Sequence, residues 1–340
     1  QAGPGQGVEP PSSAAMYPYA ALLSVRNATQ VAVEGGGIIR GQGAQWLRRA
    51  PRLSAYWAAR VRAHPLVDVF GSVNVMLRDV TIEDSTAVSL AIRHSRQVVA
   101  DHLLVRNYVE EEEHIGVLVE NSDTVEVTRS EIWSGGSFGL GVRAGGGGRV
   151  HDIVAQRCVL RNGSGVGVMR SPAEGAAGSV SEVVFRDLLL DGRSTPSWNR
   201  TYFGQSGGLV VHMREFGDTG QGGARLAVER VLFQDVVALN LSRGIDLAVP
   251  EPDPAGELGG APRNRANAVE FRNATFDGSW EAAVRVQLPD GNEMHRVSMQ
   301  DLAFTHNSKY GWDCAGALYG RAENVVPDIP LRCSVHPEAL

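Results

Sequence analysis

The stretch VDVFGSVNVMLRDVTIEDS, residues 67–85, holds short runs of alternating apolar and polar residues separated by polar turns. The same layout returns in VSLAIRHSRQVVADHLLVRNY (88–108) and VLVENSDTVEVTRSEIWSG (117–135). It returns again in LGVRAGGGGRVHDIVAQRCVLRNG (140–163) and VGVMRSPAEGAAGSVSEVVFRDLLLDG (166–192). Val88, Val117, Leu140 and Val166 open successive repeats at intervals of 29, 23 and 26 residues. Leu209, Ile245 and Val284 open later ones, spread more widely by insertions such as EPDPAGELGGAPRNRAN. Short period-two strands cannot bury their apolar face alone. Stacked as successive coils at strand spacing, they set Val on Val and Leu on Leu in a continuous column. The Gly and Asn residues between runs suit tight turns. A β-sandwich would space its turns more closely, and a propeller would need four strands per unit. The chain is therefore expected to be all-β, a right-handed parallel β-helix, or solenoid.

The domain reading follows. Residues 1–16 form a Pro-, Gly- and Ser-rich N-terminal segment, and 17–340 one β-helix domain. A β-helix exposes unpaired strand edges at its ends and normally covers them. QAGPGQGVEPPSSAAM offers no amphipathic helix for that purpose. Two expectations compete: a processed or truncated chain, or an open end that meets another protein, including end-to-end stacking of coils.

Net charge is −6, which gives no electrostatic case for nucleic acid or an anionic membrane surface. No apolar run approaches the ~20 residues of a membrane helix. Five of the thirteen asparagines (Asn27, Asn162, Asn199, Asn240 and Asn273) begin N-x-[ST] sequons, an excess that points to a secreted glycoprotein. Cys314 and Cys333 lie close together in a Pro- and Gly-rich tail, as a local disulfide would, and closing that loop stabilises by about 3 kcal/mol on the chain-entropy model. Cys158, in the apolar run AQRCVL, reads as a buried free thiol. No CxxC, HExxH or paired-His spacing exists, so neither metal nor cofactor is expected.

Several segments resemble glycoside hydrolase family 28, the polygalacturonases and their pectin-acting relatives. YAALLSVRNATQVAVEGGGIIRGQGAQWL (19–47) looks like the family's opening G-x-I-D-G-Q-G coil, with Gly37, Gly41, Gln42, Gly43 and Trp46 in place and Arg40 where Asp is usual. GWDCAGALYGRAENVVPDIPLRC (311–333) resembles the W-x-C…G…P…C ending of plant-type members, and 163–188 is similar in layout to the coil after the family's Gly-His-Gly motif. The resemblance implies a parallel β-helix and inverting hydrolysis between uronic acids, with one carboxylic acid and opposing carboxylate bases. It also implies basic residues holding the substrate's carboxylates.

Carried over position by position, the resemblance places the family's Asn-Thr-Asp-Gly on Glu113, His114, Ile115 and Gly116. The Gly-Asp-Asp turn falls on Gly136, Ser137 and Phe138, and Gly-His-Gly on Gly163, Ser164 and Gly165. Arg-x-Lys falls on Val210, Val211 and His212, and only Arg143 keeps the family's basic character. The expected acids are thus substituted. Glu113 and His114 in YVEEEEHIG are the candidates for replacement chemistry, although a glycosidase needs a second carboxylate ~5–9.5 Å away. The strands GLGV, VGVM and LVVHM supply none, and Asp246 and Glu215 lie farther along. Arg143, Arg170, His212 and Arg214 are the candidate groove residues, suited to an anionic polysaccharide bound without cleavage. Two functions stay open: a secreted extracellular-matrix or cell-wall module that binds polysaccharide or serves a structural role, and a divergent glycosidase using other acids.

Overall fold

The computed structural model describes residues 21–45, 65–107, 114–134, 138–145, 147–162, 165–170, 178–192, 207–212, 226–248, 265–279, 281–288, 293–306, 311–315, 317–330, 333 and 335–336. They form a parallel β-helix. Its front wall is a ten-stranded parallel sheet: Leu23–Arg26, Pro65–Phe70, Val88–Arg93, Ile115–Glu120, Phe138–Ala144, Gly165–Arg170, Gly207–His212, Arg243–Ala248, Ala282–Gln287 and Trp312–Ala315. A second parallel sheet carries the chain back behind it, coil after coil.

The column that decides the fold is visible in the register. Val67, Leu90, Val117, Leu140, Val166, Leu209, Ile245 and Val284 each pair with the next. The repeat beginning at Val88 therefore contributes Leu90 to this column. Each early coil also has a third wall that the two-strand reading lacked: Thr81–Glu83, Leu104–Arg106 and Glu131–Trp133. From Arg149–Arg161 onward the second and third walls run together as single strands of 13 or 14 residues up to Glu293–Thr305.

Inside, aromatic rings stack on their counterparts. Phe185, Phe233 and Phe271 lie in register with centroids 5.0 and 5.1 Å apart. Phe276 stacks on Phe304 at 4.7 Å, and Trp312 meets Phe304 edge-on. Buried Ser72, Ser95 and Ser122 form a polar ladder at one corner: the Ser72 and Ser95 amides each donate to the hydroxyl of the next serine, 3.1 Å away. Those hydroxyls in turn donate to backbone carbonyls, which satisfies them inside the buried corner. The Cys314–Cys333 disulfide forms and ties the last front strand to the tail.

The corners explain another sequence feature. Most are left-handed residues other than glycine, and Asn27, Asn162, Asn240 and Asn273 have φ of 49°, 69°, 53° and 48°. Asn tolerates that region better than most residues. Corner geometry thus draws asparagine for a backbone reason, independent of any glycan. Asn199 lies outside the described residues.

Replacing Phe233, the middle ring of its stack, with Ala should cost about 3–5 kcal/mol. Val237→Ala, on the outer face and 43% exposed, should cost under about 1 kcal/mol. Urea unfolding monitored by circular dichroism separates the two.

Candidate functional site

The outward face of the front sheet is where the resemblance places catalysis. Its central column runs Asp68, Ala91, Leu118, Gly141, Gly167, Val210, Asp246, Arg285 and Asp313. Two kinds of environment alternate along it.

In the middle coils the central column is apolar. Ile115, Leu118, Phe138 and Val210 are buried together as a cluster separate from the main core, with half-buried Val88 against them. Gly167 makes room for them: a Cβ there would lie 2.6 Å from Phe138 Cε1 and 2.9 Å from Val210 Cβ. Ile115 and Phe138 stand at two positions that the resemblance assigns to catalytic acids, and Val210 at its Arg. None of these side chains can move a proton or accept a hydrogen bond from a sugar.

Charge sits on either side, and it is matched internally. Asp68 is fully buried; Arg93 donates to its Oδ1 from Nε (2.9 Å) and Nη2 (2.8 Å), and Arg26 Nη2 donates to Oδ2 at 2.9 Å. Both guanidinium groups lie 5.5 Å from the Phe70 ring centroid. Arg143, a predicted groove cation, is buried beside Glu120 at 3.2 Å.

Asp246 anchors the largest cluster. Arg285 grips it with two parallel hydrogen bonds of 2.7 Å, and Arg243 Nη1 donates to Oδ2 at 3.0 Å. Arg243 Nη2 reaches on to Glu281 Oε1 at 2.6 Å. His212 Nε2 also lies 3.0 Å from Asp246 Oδ2, at an angle that makes the contact chiefly electrostatic. Burial alone would raise the Asp246 carboxyl. The opposing influence of His212, Arg243 and Arg285 wins and holds it well below the usual carboxylate range.

Could these carboxylates cut a glycosidic bond? Asp68 and Asp246 are six strand steps apart, roughly 29 Å, and Glu120 is roughly 19 Å from Asp246. Asp246 and Glu281 share one guanidinium, which brings them inside the ~10 Å range of glycosidase pairs. Asp246, however, has no solvent exposure and stays ionised, so it has no proton to give and no water to activate. The pair therefore lacks one of the two groups that hydrolysis needs.

His114 is fully buried, with Nε2–H donating to the Thr86 carbonyl at 2.7 Å. Glu113, Arg214, Ser137 and Ser164 lie outside the described residues, as does the side chain of Arg170. Cys158 is buried, and burial pushes its thiol up to about 11, which keeps it unreactive. Sequence reasoning missed Asp68, Glu120, Arg243, Glu281 and Arg285. Aligning the repeats column by column, rather than motif by motif, would have placed Asp246 beside Arg285.

Because the folded Asp246 pKa is depressed, its contribution is complete above the unfolded value of ~4 and is lost as pH falls through the folded value. Acid titration should therefore destabilise the protein below about pH 4, and Asp246→Asn should flatten that part of the profile. Asp246→Ala should cost about 3–5 kcal/mol at neutral pH by leaving Arg285 without its bidentate partner and Arg243 with Glu281 alone. Urea midpoints across pH measure both.

A family model described as glycosyl hydrolases family 28 matches residues 11–192, more than half of the chain. Among solved structures, a polygalacturonase from Erwinia carotovora ssp. carotovora superposes with a TM-score of 0.62 at 14% identity, covering 89% of this chain and 73% of that one. A hyperthermoactive exopolygalacturonase from Thermotoga maritima gives 0.58 at 13% identity, covering 87% and 72%. A family 28 exopolygalacturonase from Yersinia enterocolitica gives 0.54 at 13%, covering 88% of this chain and 60% of its own. No curated protein matches the chain by sequence. At such identities the superpositions establish the shared β-helix, and the sequence model establishes the lineage: the chain belongs to glycosyl hydrolases family 28.

Proposed function

We propose that this family 28 chain is a secreted β-helix of the extracellular matrix or cell wall that binds polysaccharide or supports structure without the family's hydrolytic chemistry. One observation carries the reading: Ile115, Leu118, Phe138 and Val210 form a buried apolar cluster on the face where hydrolysis would need facing acids. The internal pairing supports it, because Arg143 and His212 already lie against Glu120 and Asp246. The Cys314–Cys333 disulfide is of a kind that persists in oxidising compartments, which favours secretion. Fold kinship alone would assign an enzyme, yet function resides in the site rather than the scaffold.

A divergent glycosidase is the second reading, favoured by Asp246 and Glu281 meeting on Arg243. Reducing-end release from polygalacturonate and related wall polysaccharides decides between them. The binding-module reading expects no release above buffer. Release abolished by Glu113→Gln or Glu281→Gln would replace it with the glycosidase and name the acid.

A further inference from the structure

A sequon marks where a glycan can be attached, and the fold decides which sequons can carry one. Those of Asn162 and Asn199 extend outside the described residues; those of Asn27, Asn240 and Asn273 lie within them. All three asparagines occupy left-handed corners, so backbone conformation does not separate them. Their surroundings do.

Asn27 is exposed, and so is Thr29 two residues on. Asn27 Oδ1 is turned toward Gly71 of the next coil, 2.5 Å from where a Cβ would stand there. Its Nδ2 has no hydrogen-bond partner among the described residues. Asn273 and Thr275 are exposed as well. Here Nδ2 donates to Asp235 Oδ1, 2.6 Å away on the neighbouring coil. Asn240 differs from both. It is half-buried, Leu241 is buried and Ser242 is fully buried. A Cβ on Gly192 would lie 2.3 Å from the Asn240 carbonyl oxygen, and one on Gly278 would lie 3.6 Å from its Cα, so the coils before and after close on it.

We propose that Asn27 and Asn273 carry N-linked glycans and that Asn240 does not. The proposal rests on the secreted reading above. The donor is an oligosaccharide joined through a diphosphate to a lipid. Its C1–O bond to phosphate breaks, an Nδ2–C1 bond forms, the lipid diphosphate leaves and Nδ2 gives up one proton. A bulky hydrated group must then stay in water once the coils have stacked. Exposed Asn27 and Asn273 meet that condition, whereas stacking draws the Asn240 sequon into the wall. The modified Nδ2 keeps one hydrogen, so Asn273 can bear a glycan and still donate to Asp235.

That contact gives Asn273 a chemical signature. A peptide-N-glycosidase releases a glycan by converting Asn to Asp. At position 273 this sets a carboxylate against Asp235 in place of a donating amide, and like charges so placed destabilise. An endoglycosidase leaves one N-acetylglucosamine and an intact amide.

The full chain, secreted from a eukaryotic host cell behind a heterologous leader, tests the proposal by glycopeptide mass spectrometry. The expected result is glycan on Asn27 and Asn273 and none on Asn240. Peptide-N-glycosidase at pH 7 should leave the thermal midpoint about 2 °C below that after endoglycosidase, and Asn273→Gln should remove the difference. A glycan on Asn240, or a bare Asn27 or Asn273, overturns the proposal and leaves the secreted reading standing. Equal midpoints for the unsubstituted chain overturn the assignment at Asn273. The chain from its own source, bare at every sequon, removes the secreted reading and this proposal with it.

Discussion

Every side chain in a stacked-coil molecule has two obligatory neighbours, its counterparts in the coils before and after, at ~4.8 Å. That spacing is set by backbone hydrogen bonds and no side chain can negotiate it. Apolar residues profit from this, because Val on Leu on Val excludes water along the whole column. Charged residues are constrained by it, because like charges stacked at strand spacing repel. The alternation of charge follows. Glu120 pairs in register with Arg93 and Arg143, Asp246 with Arg285, and Gln156 accepts from Arg186 on the back wall.

The same constraint bears on the positions to which the family resemblance assigns acids. A catalytic carboxylate on the front wall must stay hydrated or paired, and it takes no part in a column. With Ile115 and Phe138 in those places, and Val210 across Gly167, the wall gains a second apolar layer on its outer side. The ion-paired coils around Asp68 and Asp246 flank this layer. At these positions the side chains present serve packing.

Much of the fold was legible because its signal is local. Val117, Leu140, Val166, Leu209, Ile245 and Val284, picked from period-two runs, all fall in one column of the structure. Leu90 was displaced by two residues because its strand begins at Val88, which is itself apolar and points to the other side. The third wall escaped because TIE, LVR and EIW are too short to display alternation. The site was legible only as a set of substitutions. Arg285 joins Asp246 across 39 residues that contain a long insertion, and no spacing rule spans that. His212 was picked out for a groove and is found against Asp246, because its partner is fixed by register with the following strand.

The aromatic stacks divide the solenoid lengthwise. At the column position filled by Phe185, Phe233 and Phe271, the earlier coils hold Leu77, Ala100, Val127 and Ala155. The early coils are thus bound by small aliphatic contacts and three separate short walls, and the later ones by large rings and continuous long strands. A molecule built this way behaves under tension like a cable with one reinforced section. Peeling coils from the N-terminal end therefore breaks only small aliphatic contacts at this position until the coil of Phe185, beyond which each further turn must also separate a pair of stacked rings.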